Sequence, residues 1–125
     1  RQPRRIGMLG LAFKPGTDDL RESPLVILAE RLLGKGFELQ IVDPQIEARR
    51  LVGRNQAYVQ SHMPHLSRLL LPNAADLSAC DLIILGHAPP APDVVTRWLD
   101  AGTVVLDLTG RPGHPAHPCY EGLYW

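Results

Sequence analysis

The 125-residue sequence has no apolar run approaching the roughly 20 residues of a membrane span. It has no polybasic block either. Its 13 basic and 13 acidic residues cancel to a formal net charge of zero, which argues against nucleic acid or an anionic membrane as partner. Arg1-Gln2-Pro3-Arg4-Arg5 is basic, but the apolar run that follows contains two glycines and stops at Lys14, so no signal-peptide core is present. An initiator methionine is lacking, and the chain is expected to be a piece of a longer polypeptide. Cysteine is scarce: Cys80 and Cys119 stand far apart and outside any Cys-x-x-Cys pattern. That argues against a disulfide framework or a zinc site, and for a reduced, cytoplasmic setting. His114 and His117 form His-x-x-His, but Pro112, Pro115 and Pro118 break any helix that would align them. No metal is expected there, and the segment reads as a solvated loop.

What remains is a soluble globular composition, 45% hydrophobic and 21% charged, long enough for one domain with a sizeable core. Ile6 to Leu11 reads as a buried strand. Ser23-Pro24 is a helix start, with serine at the N-cap and proline at the first helical position. Leu25, Leu28, Ala29, Leu32 and Leu33 recur at helical spacing, and Lys35-Gly36 is a stop. Phe37 to Val42 is a second strand ended by Asp43-Pro44. The middle is less regular: Gln45 to Val52 and Gln56 to Met63 read as short helices, and Ser67 to Leu71 is ambiguous between strand and helical turn. Asn73 is placed to cap a short helix over Ala74 to Ala79. Asp81 to Gly86 and Thr103 to Leu108 are buried strands, with a helix around Val94 to Leu99 between them, opened by Pro92-Asp93 and stopped by Gly102. Tyr120 to Trp125 suits an edge strand. Strands alternating with helices at this spacing predict an α/β fold: a Rossmann-like, doubly wound parallel sheet in a three-layer αβα sandwich.

The segment richest in chemistry is Phe13-Lys14-Pro15-Gly16-Thr17-Asp18-Asp19-Leu20-Arg21-Glu22-Ser23-Pro24. It joins the first strand to the first helix, at the carboxyl end of the sheet, where phosphorylated ligands bind in such folds. Lys14 offers a point charge and Arg21 a bidentate fork. Gly16 allows close approach of a ligand. Asp18, Asp19 and Glu22 argue against a simple polyanion pocket. On the residues alone, a phosphate site and a charged loop leading into a capped helix fit equally. There is no G-x-G-x-x-G after the strand and no P-loop. Asp43 lies 33 positions after Gly10, not the spacing of about 20 for a ribose-binding acid, and reads as a turn cap before Pro44. Arg111, in Asp107-Leu108-Thr109-Gly110-Arg111, opens on the same rim as Lys14, either reaching the same ligand or standing as a surface arginine. His87 lies on that rim too and reads as structural or solvated. Cys80 is expected to pack under a helix. Neither cysteine has the neighbours of an activated nucleophile.

Phe-Lys-x-Gly-Thr-Asp-Asp-x-Arg-Glu-Ser-Pro resembles the signature that opens the C-terminal domain of the nucleotide-sugar dehydrogenases, the UDP-glucose and GDP-mannose dehydrogenases. The resemblance extends through Leu33-Gly34-Lys35-Gly36-Phe37 and Asp43-Pro44. Leu25-Val26, the Tyr58 to Leu70 segment and Gly122 to Trp125 bring it nearest the GDP-mannose branch. It implies an enzyme with an N-terminal NAD domain, a central helical dimerisation region and this C-terminal domain as residues 1–125. It implies oxidation of the sugar C6 alcohol to a carboxylate in two NAD-dependent steps, through a thiohemiacetal on a cysteine in Gly-Gly-x-Cys-x-Pro. That motif is absent from this chain, so no catalytic residue is carried over and the fragment alone is expected to be inactive. The resemblance gives Lys14 and Phe13 to the nucleotide-sugar site and Arg21 to NAD across the domain cleft. Arg111 follows the UDP-glucose pattern, where it contacts substrate. The implied partners are GDP-mannose or UDP-glucose and, for the whole protein, further copies of itself. A non-catalytic Rossmann-like binding module also explains the βα pattern, though not the signature.

Overall fold

The computed structural model describes residues 4–11, 24–43, 69, 74–86, 92–109 and 117–122. Its spine is five short strands: β1 (Arg5–Leu9), β2 (Glu38–Val42), β3 (Leu82–Leu85), β4 (Val104–Asp107) and β5 (Tyr120–Gly122). Two α-helices accompany them, α1 (Pro24–Gly34) and α2 (Pro92–Asp100), with a 3-10 helix at Ala74–Ala79. All strand pairs are parallel, and the sheet order is β2-β1-β3-β4-β5. This is the expected doubly wound α/β sheet, with winding reversed between β1 and β3.

Alternation along the strands sorts the core onto two faces. Ile6, Met8, Leu39, Ile41 and Ile84 face α1, where Val26 and Ala29 are buried. Leu9, Val42, Ile83, Leu85 and Val105 face α2, whose Val95, Trp98 and Leu99 pack with Leu77 of the 3-10 helix. The α1 stripe differs from expectation at one end. Leu33 is 37% exposed, while Val26, not counted in the stripe, is 1% exposed. Leu25, Val26, Leu28, Ala29 and Leu32 form a continuous apolar face, and the last turn is lifting off the sheet by Leu33.

Both helices stop where glycine permits it. At α1, Phe37 N–H donates to Leu32 O and Gly36 N–H to Leu33 O, with Gly36 at φ 91°. At α2, Thr103 N–H donates to Trp98 O and Gly102 N–H to Leu99 O, with Gly102 at φ 88°. These are two copies of the Schellman stop, in which a left-handed residue lets the last carbonyls be satisfied.

At the amino ends of the strands, Asp81 Oδ2 accepts from the N–H groups of Arg4 and Arg5 at 3.0 and 3.1 Å. Cys80, beside it, is 4% exposed. Its thiol reaches Gln40 Oε1 at 3.4 Å, through space left by Gly7, where a Cβ would sit 3.1 Å from the sulfur. Burial chiefly pushes the Cys80 thiol up to about 11; Arg5 acts against this and Asp81 with it. A thiol whose ionisation is suppressed in the folded state contributes stability at neutral pH that is lost as pH rises from its ordinary value of 9.0 towards 11. Urea midpoints should therefore hold steady to about pH 9 and fall above it, and Cys80→Ala should flatten that fall. An equally steep fall in the variant would assign it to other groups.

Candidate functional site

Because every strand runs the same way, all five carboxyl ends open on one rim, and the switch point between β1 and β3 marks a crevice there. The described residues fix the floor of this rim. β1 leaves the sheet through Gly10, at φ 101°, whose N–H donates to Val42 O at 2.8 Å. The next residue, Leu11, is fully buried. Its N–H donates to Asp43 Oδ2 at 2.8 Å. Asp43 itself is 3% exposed. It therefore ties the exits of β1 and β2 together, a role the sequence reading, which took it as a turn cap before Pro44, did not find. The signal was its position after a strand; the partner, 32 residues back, was not legible.

The two ends of the Phe13–Ser23 segment are thus set. One is Leu11, pinned to Asp43. The other is Pro24, the first residue of α1 as expected. The start of α1 is seated on β3's exit: the Leu25 side chain lies over Gly86, where an added Cβ would fall 2.6 Å from Leu25 Cδ1 and push that side chain aside. The helix N-terminus, whose first N–H groups have no partner within the helix, begins on the rim. Phe13, Lys14, Arg21, Arg111 and His87 lie outside the described residues.

The β4 exit carries a feature the sequence reading missed. Asp107, the last residue of β4, is 2% exposed. Its Oδ1 accepts from Thr109 N at 2.7 Å and Thr109 Oγ1 at 2.5 Å. Its Oδ2 accepts from Tyr120 Oη, on neighbouring β5, at 2.6 Å. Burial first, and then Asp107, raises the Tyr120 phenol well above its ordinary value, keeping it a donor. Asp-x-Thr was a readable turn signature; a tyrosine 13 residues on was not. Elsewhere, His117 Nδ1 accepts from Cys119 N at 3.0 Å, a local turn contact. Among the described residues no group of three or more His, Cys, Asp and Glu gathers to hold a metal, and no helix is long and apolar enough to cross a membrane.

These residues do not fit a dinucleotide held by this domain's own β1 turn. The acid at the end of β2, which a dinucleotide fold turns to the ribose, is buried and directed at Leu11 N.

Residues 7–107 match the model of the UDP-glucose/GDP-mannose dehydrogenase family, UDP binding domain. A GDP-mannose 6-dehydrogenase of Pseudomonas aeruginosa is 42% identical over 98% of this chain, which spans 28% of that relative. The crystal structure of a ternary complex of GDP-mannose dehydrogenase from the same species superposes with TM-score 0.78 at 40% identity, covering all of this chain and 29% of that one. A UDP-glucose dehydrogenase from the hyperthermophilic archaeon Pyrobaculum islandicum superposes with TM-score 0.65 at 29% identity, over 98% of this chain and 26% of its own.

Proposed function

We propose, for a chain that belongs to the UDP-glucose/GDP-mannose dehydrogenase family, the role of C-terminal nucleotide-sugar-binding domain in an NAD-dependent GDP-mannose 6-dehydrogenase. The observation that carries this reading is the 42% identity to a GDP-mannose 6-dehydrogenase across nearly the whole chain, on a fold whose carboxyl rim holds Leu11 and Pro24, the two flanks of the signature. The chain spans under a third of that relative, so the NAD domain and the nucleophile belong to the remainder of the parent protein, which also assembles the homo-oligomer.

In this reading Lys14 places an ammonium against the anionic nucleotide-sugar, and Phe13 lines the site with its backbone. The N–H groups at the start of α1 favour the same negative charge. Arg21, seven residues on from Lys14, directs its guanidinium across the cleft to NAD. Bound NAD supplies the hydride acceptor for oxidation at the sugar C6; the groups of this chain bind and orient, and none of them attacks. A second reading, UDP-glucose as substrate, is favoured by Gly110-Arg111 and by the likeness to the Pyrobaculum islandicum enzyme.

Base choice rests on hydrogen bonds to the purine or pyrimidine edge, and a site built for one leaves polar groups unpaired with the other. Calorimetric titration of GDP and UDP into the full-length parent should show GDP binding tighter, while the 125-residue chain alone produces no NADH from either sugar nucleotide. Tighter UDP binding would transfer the assignment to UDP-glucose and make Arg111 a substrate contact. Turnover by the isolated chain would overturn the division of labour.

A further inference from the structure

We draw no further inference here: the strongest candidate, the surface patch on α1 where the exposed Ile27 and Leu33 flank Glu30, whose Oε1 is buried without a hydrogen-bond partner among the described residues, carries nothing because nothing in the structure shows what covers it.

Discussion

Replacing Trp98 with alanine is expected to remove about 3–5 kcal/mol of stability, a large share of the roughly 5–15 kcal/mol that holds a domain folded. Trp98 is 1% exposed and is the largest fully buried side chain of the described residues. It sits where α2, the 3-10 helix and the sheet meet, in one cluster with Leu77, Ile83, Val95, Leu99 and Val105. Its neighbours come from α2, the 3-10 helix and the sheet, so a cavity there would close only in part. The residue also serves the helix stop, but through its carbonyl, which alanine keeps. The loss should therefore be one of packing, and Trp98→Phe should recover part of it. Urea denaturation followed by far-UV circular dichroism reads the difference without relying on the tryptophan itself. A loss below about 1 kcal/mol would mean that α2 does not seal the sheet.

The second large effect is expected at the rim of the full-length parent. Lys14→Ala should chiefly raise the KM for the nucleotide-sugar, and Arg21→Ala chiefly the KM for NAD. A hydrogen bond to a charged group contributes about 1.5–3 kcal/mol, or roughly tenfold to a hundredfold in affinity. The two substitutions differ in charge geometry as well as place: a lysine acts as a point charge, an arginine as a fork, so Arg21→Lys should restore little. Steady-state kinetics with each substrate varied in turn separates them. Unchanged constants for both variants would leave the Phe13–Ser23 segment as no more than the lead into α1.

Local rules made much of this fold legible. Pro24 opens α1, and Gly36 and Gly102 end their helices, because those residues carry their backbone preferences wherever they stand. The short helix at Ala74–Ala79 was readable as an element; its 3-10 form depends on packing. Burial was less legible. Leu33 has the right spacing and ends up half out of the sheet's reach, whereas Val26 is enclosed, because helix rotation is decided by the surface beneath it. The strand order was legible only in outline: alternating strands and helices predict a doubly wound sheet, but nothing local says that β2 and β3 are the two strands that flank β1. The same limit governs the rim. The signature from Phe13 to Pro24 announces its chemistry in a row of adjacent residues. Asp43 with Leu11, and Asp107 with Tyr120, are pairs made by the fold, and each was read from sequence as something else or passed over.

The strand order also sets a timetable. β1 begins at the fifth residue, yet it is completed on one side by β2 and on the other by β3, where Ile6 pairs with Leu82. At a synthesis rate of ~5–20 residues per second, β1 waits roughly 4–15 s between its own emergence and that of its second neighbour. During that interval Ile6 to Leu9 offers an open, apolar strand edge, the feature most prone to pair with the wrong chain. Gly7, in the middle of it, is the one position without a side chain to commit, and its pocket is filled only when Leu77 and Cys80 arrive just ahead of β3. The domain is thus assembled from its centre outward only after most of it has been made, and any break in the chain before Leu82 leaves its first strand half paired.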